Sequence, residues 1–248
     1  MESGLPNATQ KWSHCTVTKS KLQNALDDPD ITAIEADLLM GNICNDSNHH
    51  DKEEDLPLVP IMAHAPDKVS DLSMETFVDL SVLPKKHHIK LDFKEFETVS
   101  KTIQYINQAT KDKSFGDKND PTIFLNADIL PGPGKRNEPL TIDTDEFIET
   151  CLQAMERQND NGVKYAFSLG WVTDPRAYSG YTNEDVEKMK EVIERHKLLS
   201  RSNGTYSCVY IHPSIHTYYY FLCLLMNNVG DCGKVLCWQS MLVIYTNV

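Results

Sequence analysis

The chain is short of positive charge: 24 basic side chains stand against 36 acidic ones, giving a formal net charge of −12 and a sequence pI near 5.1. A field of that sign repels phosphate backbones and excludes non-specific nucleic-acid binding. It leaves room for a small phosphorylated substrate, because a few local cations or a bound metal reverse the sign inside a cleft. Long hydrophobic runs are also missing. A membrane span needs about 20 apolar residues, and the most apolar stretch, residues 218–226, is about half that. Residues 1–10 carry neither a basic n-region nor an apolar h-region, so no secretion signal is visible and the cytosol is the default expectation. None of the 7 cysteines forms a CxxC pair, and Cys208, Cys223, Cys232 and Cys237 crowd the C-terminal end. That spacing indicates neither a zinc site nor a disulfide framework.

What is present is a rhythm. Short apolar runs at residues 32–39, 60–63, 88–93, 122–127 and 165–169 read as strands. Helix-like segments fall at 19–26, 73–83, 95–110, 144–158 and 183–197, with Ser73 placed to cap the second and acids opening the fourth. Residues 42–56, rich in Asn, Asp, His and Glu, read as an exposed loop. Past Lys197 the rhythm changes. Residues 206–211 and 235–245 read as strands and 214–226 as a helix. Alternating strands and helices argue a parallel sheet covered by helices. An eight-unit barrel takes about 250 residues, which the 248 here accommodate. The expected fold is therefore α/β, a (β/α)8 TIM-type barrel. Residues 11–197 would form the barrel domain, and 198–248 a divergent segment completing it. A barrel left unclosed there would expose sheet edges.

Residues two apart on a strand share a face. Glu35 and Asp37 are such a pair, and Lys90, Asp92 and Lys94 are such a series. Active sites of parallel α/β folds assemble where strands run into the following helix. Carboxylates converging there repel one another unless a cation sits among them, and a hard divalent ion such as Mg²⁺ or Ca²⁺ suits oxygen ligands. Lys94 would stay near that cluster, aimed at an anionic substrate oxygen. His14 and His64 each close an apolar run, and imidazole exchanges protons near neutral pH, so the two could serve as base and acid around one phosphorus. The pairs His49-His50 and His87-His88 sit in a polar loop and ahead of a strand, and are not read as ligands.

The order of these blocks carries a resemblance. Trp12-Ser-His14, Ile34-Glu-Ala-Asp-Leu38, Pro60-Ile-Met-Ala-His64, Ile89-Lys-Leu-Asp-Phe-Lys94, Leu125-Asn-Ala-Asp-Ile-Leu130 and Ser168-Leu-Gly-Trp171 resemble the menorin-like family over roughly residues 11–195. That family is similar, remotely, to the glycerophosphodiester phosphodiesterases and the spider-venom phospholipases D. The resemblance implies a (β/α)8 barrel, metal ligation by Glu35, Asp37 and Asp92, catalysis by His14 and His64, and Lys94 as the phosphate-stabilising cation. Lys90, Asn126, Asp128 and Trp171 are candidates for substrate contact. For Asn126 and Asp128 the alternative is tying down the loop at residues 131–134, and for Trp171 it is capping the core, which is favoured. The expected activity is a metal-dependent phosphodiesterase or lyase acting on a glycerophosphodiester or lysophospholipid-like substrate. The alternative is a non-catalytic interaction protein with a cell-surface receptor as partner, which would place the chain outside the cell.

Overall fold

A strand of thirteen residues, β2 (Ile31–Ile43), organises the N-terminal half of the chain. In the computed structural model the described residues are 11–44, 57–117, 119–156, 162–174, 176 and 180–198, with the backbone of Val209–His212, Val235–Trp238 and Met241–Ile244. Their contacts divide the chain into two compact units, one of residues 1–124 and 149–164, the other of residues 125–148 and 165–248.

In the first unit β1 (Lys11–Ser13) runs parallel to β2 on one side, and β5 (His88–Phe93) runs parallel to it on the other. β3 (Val59–Met62) lies antiparallel to the outer half of β2, and the two-residue β4 (Val69–Ser70) pairs with its last residues. Gly41 permits that crowding, since a Cβ there would collide with the Ile61 side chain and the Lys68 carbonyl. Alternation along β2 and β5 puts Ile34, Ala36, Leu38, Ile89, Leu91 and Phe93 on one face, all buried, and sends the charged residues to the other.

The helices follow the apolar spacing. α1 (Lys19–Asp27) is capped by Thr18, whose hydroxyl accepts from the Lys21 amide at 3.2 Å. α2 (Met74–Ser81) is capped by Ser73, which accepts from the Thr76 amide at 3.1 Å, as the sequence suggested. α3 (Glu97–Thr110) buries Val99, Ile103 and Ile106, one stripe at helical spacing, and packs against β2, β3 and α2.

β6 (Thr122–Pro131) begins in the first unit and ends in the second, where the strand order runs β6, β7 (Lys164–Val172), β8 (Val209–His212), β10 (Met241–Ile244), β9 (Val235–Trp238). β7 and β8 are parallel, whereas β10 is antiparallel to both β8 and β9. α4 (Thr144–Glu156) opens with Asp145 and Glu146, and α5 (Asn183–Arg195) opens with a capping box between Thr182 and Asp185.

This topology overturns the eight-unit barrel. The run at 235–245, read from sequence as one strand, is a hairpin whose strands are separated by two residues, too few for the crossover that parallel neighbours require. β3, expected as a barrel strand, runs opposite to β2. Among the described residues the strand order starts at β1 and stops at β9, and these two ends do not pair. The fold is α/β with an open sheet. The expected loop at 42–56 also begins later, since Asn42 and Ile43 belong to β2; residues 45–56 and the helix expected at 214–226 lie outside the described residues.

Candidate metal and phosphate site

Register brings the charged residues together. β2 and β5 are aligned so that Glu35 lies beside Lys90 and Asp37 beside Asp92. Both strands point these residues to the same face, so three carboxylates from two strands share one small volume. Each is less than a tenth exposed. One oxygen from each lies within 4.8 Å of the others.

Two lysines supply part of the counter-charge. The Lys94 ammonium stands 3.1 Å from Asp37 Oδ1 and 2.9 Å from Asp92 Oδ2, bridging the two acids that register places side by side. Its backbone is held there because the Lys94 amide donates to the Leu38 carbonyl at 2.9 Å, continuing the β2–β5 ladder past the end of the strand. Lys90 lies deeper, its side chain 6% exposed and its Nζ 3.9 Å from both Glu35 Oε1 and Asp92 Oδ2. Three carboxylates against two ammonium groups leave one negative charge. Burial first, and then the charges of Asp92 and Asp37, push the Glu35 carboxyl above its ordinary range; Lys90 and a hydrogen bond from the Cys15 amide pull the other way.

The histidines follow β1 and β3, the two strands that pair with the edge of β2 away from β5. His14 follows β1, and its Nδ1 is 3.8 Å from Glu35 Oε2, with its ring stacked near Trp12 at 6.1 Å between centroids. His64 follows β3 by two residues, and its Nδ1 is 2.7 Å from Asp37 Oδ2. Both histidine side chains are about two-thirds exposed, so a ligand can reach them while the carboxylates stay covered.

The donor set fits a hard divalent cation. Two ligands on one ion lie at most two bond lengths apart, roughly 4 Å for Mg²⁺ and roughly 5 Å for Ca²⁺. Three anionic oxygens within 4.8 Å of one another span no more than a single Ca²⁺ ion and need only a small contraction for Mg²⁺.

A family model for the menorin N-terminal domain matches residues 7–207. The chain belongs to this family. No solved structure matches it. No helix among the described residues is long and apolar enough to cross a membrane.

Within this menorin-family chain, His14, Glu35, Asp37, His64, Lys90, Asp92 and Lys94 all lie in the first unit and form one cluster. Asn126, Asp128 and Trp171 belong to the second unit. Asn126 is buried, its Oδ1 accepting from the Ser168 hydroxyl at 2.6 Å. Asp128 lies over Gly170, where a Cβ would strike its carboxylate. Trp171 is 3% exposed and tilted against Tyr181 at 4.9 Å.

Sequence reasoning missed Cys15. Its amide donates to Glu35 Oε2 at 2.6 Å, and its φ of 51° turns the chain sharply between β1 and α1. Burial and the nearby Asp37 carboxylate raise its thiol pKa. The one available signal was its place directly after His14. Glu95 was also overlooked: its Oε2 accepts from the Met40 amide at 2.9 Å and its Oε1 pairs with Lys68, on the edge of β2 that faces β5.

Proposed function

We propose that the chain is a metal-dependent phosphodiesterase or lyase acting on a glycerophosphodiester or lysophospholipid-like substrate, and that its family is related to the glycerophosphodiester phosphodiesterases. The observation carrying this reading is the convergence of Glu35, Asp37 and Asp92 within 4.8 Å, buried, with two exposed histidines beside them, His14 at Glu35 and His64 at Asp37. A divalent cation held by the three acids would supply positive charge to phosphate oxygens as charge builds on them in the transition state.

The chain's own groups account for the rest. Lys94 is held by two carboxylates, so its ammonium is fixed in place before substrate arrives and adds a second positive charge without reorganisation. Lys90 is too enclosed to meet a substrate directly; its charge favours the ionised form of Glu35 and lies 3.9 Å from Asp92. One imidazole takes a proton from water or from an internal hydroxyl of the substrate, and the other returns one to the leaving oxygen. Asp37 orients the His64 ring through its Nδ1, leaving Nε2 to face the ligand.

The test has two parts. Calorimetric titration with Mg²⁺ or Ca²⁺ should show binding that Glu35→Ala and Asp92→Ala abolish while circular dichroism stays unchanged. Hydrolysis of a bis-aryl phosphodiester in the presence of the ion should fall roughly 10²–10⁴-fold in His14→Ala and in His64→Ala. Metal affinity equal to wild type in both acid variants overturns the reading.

A further inference from the structure

Asp37 has two oxygens, and they face different neighbours. Oδ1 meets the Lys94 ammonium at 3.1 Å, whereas Oδ2 meets His64 Nδ1 at 2.7 Å. On the His64 side lies Cys15. A thiol sulfur, a carboxylate oxygen and an imidazole nitrogen from Cys15, Asp37 and His64 lie within 4.8 Å of one another.

We infer that Cys15, Asp37 and His64 form a second cation site, distinct from the acidic trio, that takes a borderline divalent ion such as Zn²⁺ or Co²⁺. Ligand type decides the ion. Thiolate and imidazole are poor partners for Mg²⁺ and Ca²⁺ but are the preferred ligands of Zn²⁺, and three protein ligands leave the fourth tetrahedral position open to water. Tetrahedral ligands at 2.0–2.3 Å from zinc stand roughly 3.3–3.7 Å apart. An ion therefore has to part the His64–Asp37 hydrogen bond slightly and draw Cys15 inward. The His64 side chain is 65% exposed and Cys15 lies in a short connection between β1 and α1, so both can make that adjustment; the buried Asp37 is the fixed point.

The site escapes the cysteine-spacing rule because its ligands come from three separate segments: the β1–α1 connection, the middle of β2 and the turn after β3. None of the three is paired with another ligand by local spacing. The second site shares Asp37 and His64 with the hydrolytic reading, while Cys15 belongs to no part of that chemistry. Because Asp37 borders both sets, however, occupancy of the second site draws Asp37 and His64 away from the first.

Titration of the full chain with Co²⁺, followed by the thiolate-to-cobalt charge-transfer absorption in the near ultraviolet, tests the site. Wild type should develop the band. Cys15→Ser should lose it, and His64→Ala should need at least tenfold more Co²⁺ to reach it. Asp92→Asn and Cys44→Ser should retain it. An absent band in wild type, or a band unchanged in Cys15→Ser, overturns the inference. As a second measurement, Zn²⁺ should slow alkylation of Cys15 at least tenfold, read by mass spectrometry, while the exposed Cys44 reacts as before; equal rates with and without Zn²⁺ would also overturn it.

Discussion

The two ends of one face of β5 handle polarity in opposite ways. His88 opens the strand, and Lys94 follows its end on the same side. Around His88 the neighbours are aromatic: Phe124 lies 6.3 Å from its ring, and Trp12 lies 6.3 Å from Phe124. Burial, with the positive charges of Lys164 and His87 adding to it, pushes the His88 pKa down to about 4, so the ring is neutral at pH 7. Its Nδ1 accepts from the Thr122 amide at 3.0 Å, which places the proton on Nε2. Four and six residues on, Asp92 and Lys94 pair with each other at 2.9 Å, and Lys94 also meets Asp37 at 3.1 Å. Burial at one end of this face is met by a neutral imidazole, and at the other by paired opposite charges. The strand places a neutral polar group beside aromatic rings, and carboxylates where ammonium groups interleave with them.

Removing the counter-charge should break that contrast most strongly. Lys94→Met leaves Asp37 and Asp92 side by side with their bridging ammonium gone. Stranding a buried charge in this way costs roughly 3–5 kcal/mol. Urea denaturation at pH 7 should show a loss of that size, and Asp92→Asn in the same background should recover most of it. Excess Mg²⁺ or Ca²⁺ should raise the stability of Lys94→Met by more than that of wild type, because the ion replaces the missing charge. A variant as stable as wild type would mean that Lys94 only rests on the acids.

Much of this cluster was legible before any coordinates. The alternation in Glu35-Ala-Asp37 and in Lys90-Leu-Asp92-Phe-Lys94 assigns those residues to one face of their strands, and residues 88–93 form β5 with the bounds the apolar run suggested. Direction and register were not legible. An apolar run looks the same whether its strand is parallel or antiparallel, so β3 could not be told from a barrel strand, nor the antiparallel pair within 235–245 from a single strand. The neighbouring of Asp37 and Asp92 depends on pairing across 55 residues of chain, which local spacing does not encode. Cys15 was hidden for a similar reason: what brings it to Glu35 is a left-handed backbone turn at a residue with no glycine-like signature.

At the other end of the face, acid should break the contrast by charging His88. A histidine whose folded pKa lies below its unfolded value of about 6.5 binds fewer protons folded than unfolded across the interval between the two. Stability is then full above pH 6.5 and falls as the pH drops toward 4, by about 1.4 kcal/mol per unit and at most about 3 kcal/mol in total. His88→Asn keeps an acceptor for the Thr122 amide but has nothing to protonate. The difference in unfolding free energy between wild type and variant, measured at pH 7 and again at pH 4.5, should shrink in the acid direction by roughly 2 kcal/mol. A difference that does not change with pH would show that His88 is no more buried when folded than when unfolded.

The smallest effect sharpens the comparison by asking whether the rings themselves hold His88 neutral. If the wall formed by Phe124 and Trp12 excludes water from the imidazole, trimming it should ease protonation. Phe124→Leu keeps the site apolar while removing the ring that faces His88. The His88 ring signal in an NMR titration should then move back toward the ordinary histidine range. The energetic coupling between the two side chains should also be measurable. Ring pairs of this kind are worth about 0.5–1.5 kcal/mol beyond buried area, so a double-mutant cycle of His88→Asn with Phe124→Leu at pH 7 should give a coupling at the lower end of that range. A coupling near zero, with the His88 midpoint unmoved, would assign the low pKa to the Lys164 and His87 charges instead, and electrostatics would then govern both ends of the face.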